Sequence, residues 1–250
     1  MMDSSVRAGA ACVDDARTST NMPDIIVLMG PQGAGKGTQA HMLAERFRLP
    51  LVATGDMLRE IALTDGPLGL QVREVQTAGR LVSDDILAEV IKTRLSKADC
   101  ERGCILDGFP RTLPQARLLE TISEELGHII HVISIEVPRE LLFKRLSGRR
   151  TCSSCGAIYH LEFKPSQTEG VCDLDGQPLF TRSDDHEESI ARRLALYDEK
   201  TRPLLDHYEQ SGRLKKVDGT GRPEEVFDRI VMASGLQDAS ESILSPNHSV

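Results

Sequence analysis

Between an apolar run, DIIVLM at 24–29, and a stretch of helical periodicity, KGTQAHMLAERF at 36–47, the chain carries GPQGAGKGTQ at 30–39. No other feature of the sequence restricts the fold as strongly. Its glycines let the backbone wrap closely around an anion and aim successive N–H groups at it, and the helix that follows adds the positive end of its dipole. Strand, loop and helix in this order separate a phosphate loop from an ordinary glycine-rich turn. Lys36 supplies a mobile point charge for the outer phosphates of a nucleotide. The strict pattern has Ser or Thr directly after the Lys; here Gly37 stands there and Thr38 follows, so the hydroxyl for a metal ion arrives one residue later. Gly33, Ala34, Gly35, Lys36, Gly37 and Thr38 are the expected phosphate contacts. The loop alone says nucleotide phosphate and no more, because GTPases, ATPases and small-molecule kinases share it.

Short apolar runs alternate with helical stretches along the rest of the chain, which predicts a parallel sheet covered by helices on both faces. The expected strands are 24–29, LVAT at 51–54, CILD at 104–107, HVISIEV at 131–137 and LKKVD at 214–218. Ala40, Leu43, Ala44 and Phe47 recur at helical spacing and define one buried face behind the phosphate loop. Ile190, Leu194 and Tyr197 do the same further on, before Pro203 bends or divides that helix. Segments 53–82 and 148–185 interrupt the alternation and read as insertions, the parts of a nucleotide-binding core that often move over substrates. A formal charge of −8, three Tyr, six Phe and no Trp weigh against a nucleic-acid platform, which needs a basic surplus and stacking rings. No apolar run is long enough to span a membrane, and residues 1–23 lack the apolar stretch of a secretory signal, so a reducing cytoplasm is expected. Residues 1–23 are expected to form a flexible extension, with Met22 a plausible true start, and 236–250 a frayed tail.

Cys152 and Cys155 form one CxxC knuckle; sixteen residues later Cys172 and Asp175 repeat the spacing with a carboxylate in the last place. That pattern suits a tetrahedral structural zinc site, Cys₃Asp, with no open position for catalysis. Segment 148–185 has few large apolar side chains, and a metal would supply the stability it lacks. A small packing cluster of thiols is the competing account.

The chain resembles the adenylate kinase family from about Pro23 to Met232. The resemblance rests on GPQGAGKGTQA at 30–40, ATGDMLR at 53–59, GRLVSDD at 79–85, LDGFPRT at 106–112, TRSDD at 181–185, ARRLALY at 191–197 and KKVDGT at 215–220. It implies an α/β P-loop nucleoside monophosphate kinase: a three-layer α/β/α core from 24–52, 83–147 and 186–235, an AMP-binding insertion at 53–82 and a lid at 148–185. It implies Mg²⁺ with ATP, reversible transfer of the terminal phosphoryl group from ATP to AMP giving two ADP, and a monomer. By the same resemblance Arg59 and Arg111 grip the AMP phosphate, Arg145 and Arg149 reach ATP from the lid edge, and Arg182 and Arg193 bridge toward the transferred group. Thr54, Arg80, Leu81, Val82, Gly108, Phe109, Pro110 and Gln115 match positions around AMP, the Gln115 amide being suited to an adenine edge. Ile158, Tyr159 and Gly221 fall at positions near the ATP base. Asp107 matches the carboxylate that holds Mg²⁺ through water, with a cap or turn role as its bland alternative. Asp184 and Asp185 sit where a helix starts, and N-capping and lid closure explain them equally. A kinase for UMP, CMP or GMP would handle phosphates with nearly the same residues. A nucleic-acid- or protein-binding zinc ribbon is the reading from another class.

Overall fold

The computed structural model describes residues 24–77, 83–182 and 185–236. The expected extension at 1–23 and the tail from 237 onward lie outside them, although Leu236 still packs against the core.

Five parallel strands make the central sheet: β1 (Asp24–Met29), β2 (Leu51–Ala53), β3 (Gly103–Asp107), β4 (Ile129–Glu136) and a last strand, Leu214–Asp218. Their order is β2-β3-β1-β4 and then the last strand. The sheet is buried on both faces, so its central strands read as continuous apolar runs, and alternation shows only in which layer each side chain enters. Ile25, Val27 and Met29 of β1 enter one layer and Ile26 and Leu28 the other. The first layer is covered by helices α4 (Asp84–Leu95) and α5 (Leu113–Leu126), through Ile91, Leu95, Ala116 and Leu119. The second is covered by α1 (Lys36–Phe47) and α6 (Arg139–Ser147), through Ala40, Leu43, Leu142 and Leu146. The architecture is three-layered, α/β/α, as the alternation predicts.

Boundaries shifted where the local backbone had a reason to change. Thr54, read as the end of a strand, opens helix α2 (Thr54–Ala62), which is followed by α3 (Pro67–Thr77). Strand β4 begins two residues before His131 and ends before Val137, because Pro138 cannot donate to a ladder and restricts the residue preceding it. Residues 149–180 contribute a separate antiparallel sheet of β5 (Arg149–Cys152), β6 (Ile158–His160) and β7 (Leu179–Phe180), with β5 in the middle.

Pro203 divides the long helical run at 188–208. Helix α7 (Glu187–Leu196) passes into a π-helical stretch, Tyr197–Thr201, and α8 starts at Pro203 and ends at Gln210. A proline ring would collide with the carbonyl four residues back, and a widened turn makes room for it. The strand after it, β8 (Leu214–Asp218), leads to α9 (Pro223–Ser234), whose Val226 and Ile230 close the second layer.

Candidate active site

The phosphate loop joins β1 to α1 and is held against β4 and α6 by close backbone approach. Gly30 has φ 140°, and a Cβ there would stand 2.7 Å from the Ile135 carbonyl oxygen. Gly33 has φ 85°, with the Leu142 carbonyl oxygen 3.2 Å from where its Cβ would be. Both positions therefore require glycine for conformation and for space. Lys36 folds back over the loop, its Nζ donating to the carbonyls of Gly30 at 2.7 Å and Pro31 at 3.0 Å. Burial pushes its ammonium down to about 8; Asp107 counters this, while Arg111, Arg193 and Arg149 add to it. One carboxylate and three guanidinium groups thus act on the charge of a single lysine. Asp107 ends β3, with Oδ2 3.8 Å from where a Cβ on Gly37 would stand, beside the N-terminus of α1.

Beyond β3 the chain turns through Gly108, and the space above its Cα is bounded by Arg111 Nη2 and Thr54 Oγ1, each 3.1 Å from a Cβ built there. Arg111 Nε donates to the Gly108 carbonyl at 2.7 Å. Phe109 and Pro110 are buried beneath this turn, Phe109 within the core, so their side chains shape the turn from below. Gln115, one turn into α5 and 8% exposed, accepts from the Arg111 amide at 2.8 Å and donates to Asp84 Oδ1 at 2.8 Å. Arg80, Leu81 and Val82 lie outside the described residues, as does the side chain of Arg59 on α2.

Asp185 differs from its helix-capping reading. The residue preceding α7 is His186, whose side chain makes no cap bond, and the Asp185 side chain is 0% exposed. Its two oxygens accept from Arg149, with Nε at 2.7 Å, and from Arg193 Nη1 at 3.2 Å. Two cations a long way apart in sequence are thus fixed on one buried anion. Arg182 joins them: its Nε donates to Thr151 Oγ1 at 2.9 Å and its carbonyl accepts from the Asp185 amide at 3.1 Å. Asp184 lies outside the described residues. Arg145 Nη2 donates to the Gly219 carbonyl at 3.0 Å, and its Nη1 approaches the carbonyls of Gly33 and Ala34 at 3.5 and 3.4 Å. It ties the phosphate loop to the turn between β8 and α9 that carries Gly221. On β6, Ile158 is exposed, whereas the Tyr159 side chain is buried against the cysteine cluster.

That cluster brings together Cys152, Cys155, Cys172 and Asp175, with one ligand atom from each within 4.8 Å of all the others. Cys155 and Cys172 sulfurs are 3.6 Å apart, close to the about 3.8 Å that two thiolates on one tetrahedral zinc require. Asp175 Oδ1 lies 3.3 Å from the Cys152 sulfur. The Tyr159 hydroxyl lies 3.5 Å from the Cys172 sulfur and accepts from the Asp173 amide at 2.8 Å, an outer contact of the kind that orients a ligand. The donor set fits a structural zinc. Cys100 and Cys104, by contrast, are buried in the main core.

Two functional contacts had escaped the sequence. Asp84 stands 31 residues from Gln115, within the motif GRLVSDD that carried the resemblance but gave this residue no role, and nothing in its spacing announces the pairing. The Gly219 carbonyl under Arg145 belongs to the backbone, which carries no side-chain signal at all.

A family model described as adenylate kinase matches residues 28–213. A protein of Carboxydothermus hydrogenoformans named adenylate kinase is 48% identical over 206 residues, covering 82% of this chain and 96% of that one. Proteins of the same name from Bacillus subtilis and Pelobacter propionicus are 47% and 50% identical, over 81% and 80% of this chain and 94% and 92% of theirs.

Proposed function

The chain belongs to the adenylate kinase family, and from that premise we propose how its residues divide the work. The protein transfers the terminal phosphoryl group of ATP to AMP, reversibly, giving two ADP. The observation that carries the mechanism is the set of cationic side chains at the phosphate loop: Lys36 folds over it onto the Gly30 and Pro31 carbonyls, Arg145 reaches those of Gly33 and Ala34, and Arg149 and Arg193 are fixed together on Asp185. Phosphoryl transfer asks little covalent chemistry of a protein; it asks that two anionic nucleotides be held in line and that charge on the moving group be offset. The attacking oxygen of AMP is already anionic, so no general base is required.

In this reading the loop amides and Lys36 hold the ATP phosphates, and Arg145 and Arg149 approach them from α6 and β5. Arg111, Arg59 and Thr54 take the AMP phosphate beside Gly108, and Arg182 and Arg193 face the group in transit. Arg80, Leu81 and Val82, which lie outside the described residues, and the amide of Gln115 complete the acceptor site. Asp107 would hold Mg²⁺ through water and Thr38 would offer its hydroxyl; the ion supplies charge neutralisation across the phosphates. Ile158, the backbone of Tyr159 and Gly221 border the ATP base, the Tyr159 side chain being turned into the cysteine cluster. Residues 53–82 act as the AMP-binding insertion and 148–185 as a lid whose closing excludes water. The enzyme is read as a cytoplasmic monomer. No helix among the described residues is long and apolar enough to cross a membrane, and all five described cysteines are free, as a reducing compartment would keep them.

A coupled assay offering ATP with AMP, UMP, CMP or GMP tests the acceptor. ADP formation with AMP well above the others is expected, and turnover with UMP but not AMP would overturn the assignment.

Cys152, Cys155, Cys172 and Asp175 hold zinc, which closes a segment whose own core amounts to little more than Cys152, Tyr159 and Cys172. The purified protein is expected to carry close to one equivalent, and a strong chelator to lower its melting temperature. Metal-free protein whose melting is indifferent to chelator would remove zinc from the account.

A further inference from the structure

We propose that Asp84 is a specificity-determining positioning residue. It fixes the polarity of the Gln115 carboxamide, so that the enzyme accepts a 6-amino purine and rejects a 6-oxo one.

The orientation of the Gln115 amide is set by what it touches. A glutamine amide has two donor hydrogens on nitrogen and two acceptor lone pairs on oxygen, and swapping the two ends by rotation costs almost nothing unless the partners forbid it. Here both partners forbid it. The Arg111 backbone N–H can only donate, and it meets Gln115 Oε1 at 2.8 Å; the Asp84 carboxylate can only accept, and it meets Gln115 Nε2 at 2.8 Å. A reversed amide would set nitrogen against N–H and oxygen against carboxylate. Asp84 is free for this task because Ser83, not Asp84, caps α4, its Oγ accepting from the Ile86 amide at 3.5 Å. One hydrogen on Nε2 and one lone pair on Oε1 remain for a ligand.

That remainder has a chemical sense. Adenine offers a ring-nitrogen acceptor next to an exocyclic N–H donor, which matches one amide hydrogen and one amide lone pair. Hypoxanthine and guanine present N1–H and O6 instead. Against a locked amide those put donor against donor and oxygen against oxygen, and a buried polar group left unpaired is costly. Arg111 is also the residue whose guanidinium bounds the space above Gly108. The backbone that orients the amide is therefore continuous with the proposed phosphate grip.

This inference rests on the reading of Gln115 as facing the AMP base, and the test separates the two. The wild-type enzyme, Asp84→Asn and Asp84→Ala are compared by kcat/KM for AMP and for IMP at saturating ATP. IMP is chosen because it differs from AMP only at the N1–C6 edge. Asparagine presents a donor as well as an acceptor and releases half of the lock. The AMP:IMP preference is expected to fall by about tenfold or more in both variants, mainly through a raised KM for AMP, with the KM for ATP unchanged. Asp84 is exposed, and Asp85 keeps an acidic charge in the first turn of α4, so the fold is expected to survive, which thermal melting checks. A wild-type preference retained in both variants overturns the proposal. A wild-type enzyme that fails to use AMP at all overturns the functional reading instead.

Discussion

Lys36→Met is expected to reduce turnover by about three orders of magnitude while leaving the protein folded. The loss follows from removing the only lysine of the phosphate loop, the one on which Asp107 and three arginines converge. The stability side has a definite sign. Folding lowers the ammonium from its ordinary value to about 8, so the charged form is less at ease in the native state than in the unfolded chain. Below that value the buried charge costs stability, and the cost is relieved as pH rises from about 8 toward the ordinary lysine range. At neutral pH the Met variant should therefore melt no lower than the wild type. ATP affinity of the wild type should weaken above about pH 8, where the free enzyme begins to lose this proton, and the variant should lack that dependence. Turnover within tenfold or so of wild type would remove Lys36 from the centre of the mechanism.

Asp185→Ala should damage both stability and activity. The carboxylate is wholly buried and accepts from Arg149 and Arg193, whose side chains keep only 16% and 25% exposure. Removing one partner of a buried ionic cluster leaves the others uncompensated, a cost of about 3 kcal/mol at the lower end of the usual range because both arginines retain some water. For a chain of this size that is a fall of roughly 6–12 °C in melting temperature. The same change frees two guanidiniums from a common anchor, and a misplacement on the order of 1 Å at the transferred group costs about a hundredfold in rate. Calorimetry and steady-state kinetics check the two effects separately. A melting temperature within about a degree of wild type would show that the ion cluster is not holding the fold.

Strands 24–29 and 214–218 and the first helix were legible to the residue, the glycine-rich loop marking the end of that first strand and the start of the helix. The boundary at Thr54 was not. Its β-branched side chain prolongs a strand-like run, and only tertiary packing of α2 against its surroundings overrides that local preference. Asp185 stayed open between capping and lid closure for a related reason. An acidic residue ahead of a helix caps it in most settings, and the sequence holds nothing to say that two arginines, 36 and 8 residues away, reach the same carboxylate.

The cluster of three cysteines and Asp175 stands between these cases. Its spacing named the four residues because both knuckles are local, and what remained was whether the chain would bring them together, as β5 and its neighbours do.

By itself, then, the order of residues determined the phosphate loop, the parallel sheet behind it, the membership of the Cys₃Asp cluster and the family, since each is written in contacts between near neighbours or in many short motifs read together. Tertiary structure alone decided which carboxylate each arginine meets and which way the Gln115 amide points. Those pairings are set by how separate segments pack, and a hydrogen bond such as that of Gln115 to Asp84, across 31 residues, leaves no period in the chain that makes it.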